Sequence, residues 1–204
     1  MEKQKSIAVF GGSFNPPLNS HLMLAEEVLK SNLKIDKVIF VPVSTKYNKQ
    51  NLEENIHRYN MLKLLCKENP KLEVSKIELE AKKQLYTIET LNILQEKYKN
   101  SVIYFMLGTD NLKELKDWKN PEGILEKYKI IVLERNLDKV EKIINEDELL
   151  SKYKNSLINL QNKRTSLSST FVREKLKNNQ DVSKFLPKEI IEYIKENKLY
   201  VGDF

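Results

Sequence analysis

Short, almost continuously apolar runs alternate along this chain with longer amphipathic segments. The runs lie at Ile7–Phe10, Val38–Val43, Ile103–Leu107, Ile130–Leu133 and Leu157–Leu160, with a minor one near Leu72–Val74. Strands without polar alternation are typical of a parallel sheet buried on both faces, and the intervening segments have helical periodicity. The pattern therefore predicts an α/β fold, a doubly wound, Rossmann-like parallel sheet of about five strands with a small C-terminal helical portion.

The predicted helices and the chain length define the expected domain. The helices are His21–Ser31, Asn55–Glu68, Thr87–Lys97, Asn111–Lys116, Leu137–Leu150 and Thr170–Lys177. A chain of 204 residues can bury a substantial core and fits one domain. We expect that domain to cover residues 1–204, with residues 166–198 as its C-terminal helical portion. Ligands of such sheets bind where the winding direction reverses, so the loops after the Ile7 and Ile103 strands are expected to face each other.

Charge and cysteine content narrow the classes of partner. Lysine and arginine number 35 against 29 acidic residues, a net charge of +6, and the two signs interleave along the chain. A dedicated nucleic-acid surface would cluster its basic charge, so we expect no nucleic-acid partner. Cys66 has no second cysteine to pair with and no apolar run has membrane length, which predicts a cytoplasmic protein without membrane contact. The oligomeric state is not encoded, and a homo-oligomer is compatible with the sequence.

The loop after the first strand has the composition of an anion-binding site. It begins with Gly11 and Gly12, contains two prolines and leads into a helix that opens near His21. Glycines let a ligand approach the backbone and permit a positive φ, while the first N–H groups of a helix attract phosphate. His21 would stand at the mouth of this site. The plain structural interpretation is a strand, a turn and a helix whose histidine caps or packs.

A second stretch, Ser166–Arg173, has related features near the C-terminus. Hydroxyl residues precede and begin a predicted helix, where they can cap it or contact phosphate oxygens. Arg173 lies one turn further on and carries a fork suited to phosphate. A well-capped surface helix explains the hydroxyl residues equally well.

The first loop resembles the signature of the nucleotidyltransferases, G-G-[ST]-F-[DN]-P-x-[HT]-x-G-H. The matching residues are Gly11, Gly12, Ser13, Phe14, Asn15, Pro16 and His21. Leu18 stands where the first histidine or a threonine is usual, and Ser20 replaces the glycine. Leu167–Arg173 is similar to the family's second signature, I-S-S-T-x-x-R. The chain has neither G-x-G-x-x-G nor the P-loop pattern, and no residues spaced as metal ligands.

The middle of the chain resembles one branch of this family, the bacterial nicotinate-mononucleotide adenylyltransferases. Leu85–Leu91 is similar to their S-Y-T-[IV]-[DE]-T-L, Gly108–Asp110 to G-[AT]-D, Leu115–Trp118 to L-x-x-W, and His57–Met61 to H-R-x-x-M. The resemblance implies the transfer of AMP from ATP to nicotinate mononucleotide, which gives deamido-NAD and pyrophosphate in NAD biosynthesis.

The resemblance also implies roles for the matched residues. His21 and Arg173 are the implied catalytic residues. ATP would be bound by Gly11, Gly12, Ser13, His21, Gly108, Asp110, Ser169, Thr170 and Arg173. Nicotinate mononucleotide would be bound by Phe14, Asn15, Lys46, Tyr86, Thr87, Trp118 and Lys119. No metal ligand is implied in the protein, and Mg²⁺ would come with ATP.

Structural roles and other functions stay open at this stage. Trp118 could be a packing residue, Asp110 the N-cap of a helix, and His57 and Arg58 surface residues. A catalytically weakened nucleotide-binding sensor of the same fold would keep both phosphate motifs and lose the histidine at position 18. Phosphopantetheine adenylyltransferases share the first motif, but they would not need the aromatic residues of the middle segment.

Overall fold

The computed structural model describes residues 4–46, 51–135, 139–165 and 168–201. The strands in these ranges are β1 (Lys5–Gly12), β2 (Lys37–Pro42), β3 (Leu72–Val74), β4 (Ser101–Gly108), β5 (Lys129–Arg135) and β6 (Leu157–Thr165). They form one parallel sheet in the order β3-β2-β1-β4-β5-β6. The chain winds outward in both directions from the pair β1 and β4, so the predicted doubly wound parallel sheet is confirmed.

Helices connect these strands. Those in the described residues are α1 (Asn19–Lys30), α2 (Asn55–Cys66), α3 (Thr87–Lys97), α4 (Thr109–Glu114), α5 (Pro121–Lys127), α6 (Val140–Asn145), α7 (Glu148–Lys152), α8 (Ser169–Lys177) and α9 (Lys188–Glu196). Single 3₁₀ turns occupy Leu115–Asp117 and Lys154–Ser156.

Alternate residues of β1 belong to two separate cores. Ala8 and Phe10 share the first core with side chains of α1, α2 and α9, whereas Ile7 and Val9 share the second core with side chains of α3, α4 and α5. Both faces of the sheet are therefore buried, which explains why its strands lack polar alternation. The C-terminal region adds to the first core through Val182, Leu186, Ile190, Ile194, Leu199 and Tyr200.

The sheet has one strand more than the predicted five. The minor run at Leu72–Val74 is the edge strand β3, and Leu72 and Val74 are both buried beside β2. Its shortness is common at a sheet edge, where a long exposed strand would invite pairing with another chain.

Two details of the predicted helices are wrong. The segment Leu137–Leu150 is not one helix, because the Asp147 side chain accepts the Leu150 N–H and begins α7 there; residues 137 and 138 lie outside the described residues. Helices α5 and α9 are missing from the predicted helices, although Asn120 followed by Pro121 is a typical start for α5, and α9 lies in the C-terminal portion 166–198 that is predicted to be helical.

None of the helices in the described ranges combines the length and apolar content needed to cross a bilayer.

The single cysteine of the chain, Cys66, is buried on α2, and burial raises the pKa of its thiol to about 12. Because the thiolate is the reactive form, Cys66 is a packing residue at neutral pH.

Candidate active site

A cavity of about 600 Å³ lies at the carboxyl ends of β1 and β4, where the winding of the sheet reverses. Apolar side chains line part of it, among them Val9, Val41, Leu91, Phe105 and Leu107. Polar residues from the loops after β1 and β4 and from the start of α8 line the rest. The expectation that these two loops border one crevice is confirmed.

The cavity brings together nearly all of the site residues predicted from the sequence. Those that line it are Gly11, Gly12, Ser13, Phe14, Asn15, His21, Tyr86, Thr87, Gly108, Trp118, Lys119, Ser169, Thr170 and Arg173. Lys46 and Asp110 do not line it. The Lys46 ammonium donates to the Ala81 carbonyl at 2.6 Å, and Asp110 is exposed in the first turn of α4, whose next residue, Asn111, faces the cavity instead.

Neither glycine of the first motif forms a turn, and only Gly12 has a tight contact that its small size permits. Gly11 and Gly12 are the last residues of β1, paired with Val41 and Pro42, and neither has a positive φ. The left-handed residue is Phe14, with φ 47°. A Cβ on Gly12 would lie 3.0 Å from the Phe14 ring, which folds back against the strand, so a larger residue there would displace the ring by a few tenths of an ångström.

The side chain of His21 is fixed by a hydrogen bond and by two aromatic rings. Its Nδ1 accepts the backbone N–H of Leu18 at 2.9 Å, and its ring stands edge-on to Phe14 and Phe10 at centroid distances of 5.1 and 6.0 Å. Because a backbone N–H can only donate, Nδ1 carries no proton in this arrangement. The neutral imidazole then has its hydrogen on Nε2 and is a hydrogen-bond donor through that atom.

The start of α1 offers fewer backbone donors to an anion than the sequence predicts. The Asn19 N–H donates to the Phe185 carbonyl at 2.8 Å, and the His21 N–H donates to the Leu18 carbonyl at 3.0 Å. The Leu18 side chain is 1% exposed and belongs to the first core. The position of the usual first histidine is therefore filled by a packing residue.

The second motif contacts the first directly. The Ser169 hydroxyl donates to the Pro16 carbonyl at 2.9 Å, and Arg173 Nη1 donates to the Asn15 carbonyl at 2.8 Å, while Arg173 Nη2 donates to the Thr170 hydroxyl at 3.2 Å. Helix α8 begins at Ser169, and the Ser168 side chain caps it by accepting the Phe171 N–H. Capping and contact with the first motif thus occur together. Residues 166 and 167 of this motif lie outside the described residues.

Arg58 holds the loops of the site together, a role that the sequence left open between the H-R-x-x-M resemblance and a surface position. It is fully buried, and its guanidinium donates to the carbonyls of Ser13, Val43 and Glu53 and to the Asn55 side chain, at 2.6 to 2.9 Å. Burial lowers its pKa to about 10, so it remains charged at neutral pH. The interpretation as a surface residue is wrong for Arg58, because its fork joins the loops after β1 and β2.

The side of the cavity toward the second core is aromatic and charged. Trp118 packs against that core and stands edge-on to Phe105 at 6.2 Å, and the Lys119 ammonium lies 4.2 Å from the centroid of the Tyr86 ring. Glu78 also lines the cavity, and burial raises its pKa to about 7. This side can therefore hold a flat ring beside a cation.

Comparison with known proteins agrees with this geometry. A family model described as Cytidylyltransferase-like matches residues 9–175. Proteins named "Probable nicotinate-nucleotide adenylyltransferase" are similar over nearly their whole length. The Clostridium tetani protein is 34% identical, with 96% of this chain and 99% of that protein covered, and the Fusobacterium nucleatum protein is 39% identical, with 93% and 97% covered. The chain belongs to the nicotinate-nucleotide adenylyltransferase family.

A solved structure of a similarly named enzyme supports the assignment of the fold. The Plasmodium falciparum nicotinic acid mononucleotide adenylyltransferase complexed with NaAD superposes with a TM-score of 0.79 at 26% identity, covering 96% of this chain and 97% of that one. In the present chain, the residues 9–175 that match the Cytidylyltransferase-like family model include the first motif and Arg173. The match ends before α9 and Tyr200.

Proposed function

We propose that this protein transfers AMP from ATP to nicotinate mononucleotide, which gives deamido-NAD and pyrophosphate in NAD biosynthesis. The observation that carries the proposal is the cavity itself, which both phosphate-type motifs and an aromatic, cationic wall border together. Its volume of about 600 Å³ falls within the range of roughly 300–1,000 Å³ typical of small-molecule sites. The names of the similar proteins support the same reaction.

In this proposal, the triphosphate of ATP lies against the loop Gly11–His21 and the start of α8. His21 donates from Nε2, and the backbone of Gly11, Gly12 and Ser13, the Ser169 and Thr170 hydroxyls and Gly108 line the same site. A guanidinium has five N–H groups, and the contacts of Arg173 with Asn15 and Thr170 use two of them. Arg173 can thus hold the loop and a phosphate together. The roles of Asp110 and Lys46 stay predictions, since neither lines the cavity.

Nicotinate mononucleotide is proposed to lie on the side of the second core. Trp118 and Tyr86 supply aromatic surface for the pyridine ring, and Thr87 and Lys119 lie beside them. The Lys119 ammonium favours a substrate with a carboxylate over one with an amide. Phe14 and Asn15 line the boundary with the phosphate motifs.

The reaction requires positioning and charge stabilisation more than proton transfer. The attacking phosphate oxygen of nicotinate mononucleotide is already an anion at neutral pH, so no base is needed to activate it. The barrier comes from bringing two anions into line at the α-phosphorus of ATP. Alignment can contribute roughly 7–11 kcal/mol in well-oriented systems. A donor aimed at developing charge adds about 2.7–4 kcal/mol, and His21 and Arg173 are proposed as such donors.

Mg²⁺ is proposed to enter as part of the MgATP substrate. Within the described residues, no group of three or more histidine, cysteine, aspartate or glutamate side chains could form a protein cage for a metal ion. Mg²⁺ commonly binds substrate phosphates, water and one or two carboxylates, and this mode does not require such a cage. Bound in this way, the ion would neutralise charge on the phosphates.

We also infer that residues 1–204 act as one nucleotidyltransferase domain. The support is that the C-terminal helical portion, predicted as 166–198, shares the first core with α1 and α2 and donates from Ser169 to the first motif. A cytoplasmic location, the absence of a nucleic-acid partner and a homo-oligomer stay predictions from the sequence.

The test of the proposed function is pyrophosphate release from MgATP with nicotinate mononucleotide, nicotinamide mononucleotide or phosphopantetheine supplied in parallel. We expect turnover that requires nicotinate mononucleotide and collapses in His21→Ala. Turnover that requires phosphopantetheine would refute the proposal.

The buried side chain of Leu18 favours one second candidate, the catalytically weakened nucleotide-binding sensor. It removes a donor that the family signature usually provides. Binding of MgATP without turnover on any acceptor would select this candidate.

A further inference from the structure

Tyr200, near the C-terminus, belongs to none of the sequence motifs, but its hydroxyl contacts the first motif. Tyr200 is 1% exposed and does not line the cavity, and its hydroxyl lies 2.8 Å from Asn15 Oδ1. Burial raises the pKa of Tyr200, so the phenol keeps its proton at neutral pH. The charged groups that act on it are Glu53, Arg58 and Arg173.

The direction of this hydrogen bond follows from the other partners of Asn15. The Glu53 N–H donates to the same Oδ1 at 3.2 Å, and Asn15 Nδ2 donates to the Asn51 carbonyl at 2.7 Å. A backbone N–H can only donate and a carbonyl can only accept, so the orientation of the amide is fixed. The Tyr200 hydroxyl is therefore the donor to Oδ1.

Asn15 connects the Tyr200 hydroxyl with the phosphate motifs. Asn15 is 2% exposed, and both the oxygen and the nitrogen of its side-chain amide are hydrogen-bonded. Its backbone carbonyl accepts a hydrogen bond from Arg173 Nη1 at 2.8 Å. The residues on either side of it are Phe14, whose ring contacts His21, and Pro16, whose carbonyl accepts the Ser169 hydroxyl. A shift of Asn15 would displace elements of both motifs.

The turn that ends α9 places Tyr200 beside the first motif. Lys198 and Tyr200 have φ values of 53° and 60°, in the left-handed region that residues with a side chain rarely adopt. Buried Leu199 anchors the segment, and its N–H donates to the Ile194 carbonyl at 3.0 Å. Together with the Lys198 N–H, which donates to the Lys195 carbonyl at 3.2 Å, this bond makes Lys198 the left-handed residue of a Schellman cap that ends α9, and Tyr200 follows it directly.

We propose that Tyr200 is a positioning residue for the reaction, because its hydroxyl fixes Asn15 and thereby holds the first-motif loop and Arg173 in their relative places. The inference rests on the proposed function for the reaction that it serves. Tyr200 acts through Asn15 and contributes no group to the substrates.

The test compares Tyr200→Phe with Tyr193→Phe. Both changes remove one phenol hydroxyl from the C-terminal region and keep the ring. The Tyr193 hydroxyl bonds His57 at 2.9 Å and Asn60 at 3.0 Å, and these contacts dock α9 on α2 without touching the first motif. Turnover, the KM of each substrate, the melting temperature and MgATP affinity by calorimetry are measured for both variants.

We expect Tyr200→Phe to lower kcat roughly tenfold and to raise the KM of MgATP several-fold, because a displaced first-motif loop and Arg173 would contact the phosphates less well both before and during the reaction, while the KM of nicotinate mononucleotide should change much less. Tyr193→Phe should keep kcat within about twofold of the unchanged protein, as expected away from the site. MgATP affinity should fall several-fold in Tyr200→Phe alone. Equal kcat and equal MgATP affinity in the two variants would overturn the inference, whatever their melting temperatures.

The failure of the inference and that of the proposed function give different results. If the unchanged protein binds MgATP without using nicotinate mononucleotide, the proposed reaction is wrong. The MgATP affinities of the two variants still decide the role of Tyr200 in that case. A Tyr200→Phe variant that does not fold would be replaced by Tyr200→Leu, which also removes the phenol hydroxyl, leaves Asn15 in place and should reproduce the same losses.

Discussion

At the scale of the residue, His21 illustrates how one hydrogen bond decides what a side chain can do. Its Nδ1 is occupied by the Leu18 N–H, so the neutral ring is a donor at Nε2. The packing of Phe10 and Phe14 against the ring leaves its orientation little freedom. The histidine therefore both stabilises the start of α1 and faces the cavity, and a mutation can separate these two functions.

We expect His21→Ala and His21→Asn to lower turnover by a similar factor, roughly 10²-fold or more. The asparagine oxygen can accept the Leu18 N–H in place of Nδ1, but the shorter side chain has no donor at the position of Nε2. His21→Asn should therefore melt at a higher temperature than His21→Ala. Pyrophosphate release and thermal melting give the two readouts. An active His21→Asn variant would show that the histidine serves only the start of the helix.

The family signature suggests that a histidine at position 18 would raise turnover, but the burial of Leu18 leads us to expect no such gain. Leu18→His would restore the usual residue, but it would place a polar ring in the first core, where Leu18 is 1% exposed. We expect the free energy of unfolding in urea to fall by about 1–3 kcal/mol without a gain in turnover. Leu18→Met, an apolar control of similar volume, should cost less than about 1.5 kcal/mol. A stable and faster Leu18→His variant would mean that this position faces the substrate.

At the scale of the element, Arg58 on α2 ties together the ends of β1 and β2. A lysine keeps the charge but cannot reach the carbonyls of Ser13, Val43 and Glu53 with one ammonium group. We expect Arg58→Lys to lower the free energy of unfolding by about 2–3 kcal/mol, because buried carbonyls lose their donors. Lys63→Ala, on an exposed face of the same helix, should change it by less than about 0.5 kcal/mol. Equal stability of the two variants in chemical denaturation would refute this role of Arg58.

Glu78, between β3 and α3, makes stability depend on pH. Its pKa is raised by burial to about 7, against opposing effects of its hydrogen bond from the Thr90 hydroxyl and of the Arg58 charge. The folded state therefore holds this proton more tightly than the unfolded chain does. The resulting stabilisation is complete below the unfolded pKa, near 4.5, and is lost as the pH rises through about 7.

We expect Glu78→Gln to remove this component of the pH dependence. The variant should gain stability relative to the unchanged protein as the pH rises from about 5 to about 8, because glutamine cannot ionise. Glu80→Gln is the control, since Glu80 is an exposed carboxylate two residues away. Melting temperatures across this range measure the effect. Parallel curves for the unchanged protein and Glu78→Gln would contradict the assignment of the shifted pKa to this carboxyl.

The elements and motifs that depend on local sequence could be predicted, whereas contacts between distant residues could not. Apolar runs identify strands because both faces of the sheet are buried, and glycine, proline and hydroxyl patterns identify the loops between elements. The burial of Arg58 has no local signal, because its carbonyl partners belong to the backbones of two other loops. The contact of Tyr200 with Asn15 spans 185 positions and has none either. A split like that of α6 and α7 depends on a single aspartate cap.

At the scale of the whole molecule, the cavity joins parts of the chain that pack on opposite faces of the sheet. His21 and Phe14 belong with the first core, and Trp118 packs against the second. A ligand that contacts both sides therefore links residues that pack with the first core to residues that pack with the second. Binding should consequently stabilise the whole fold and not one loop.

We expect MgATP and nicotinate mononucleotide, each supplied separately at about 100 times its Kd, to stabilise the folded protein by about 2.7 kcal/mol. For a chain of this length, that corresponds to an increase in melting temperature of roughly 5–10 °C. Arg173→Ala should lose most of the shift caused by MgATP, because its guanidinium is proposed to contact the phosphates, and should keep most of the shift caused by nicotinate mononucleotide. A single-stranded oligonucleotide should give no shift. Stabilisation by the oligonucleotide that weakens strongly with added salt, together with no response to either small molecule, would instead indicate a nucleic-acid-binding protein and refute the role of the cavity.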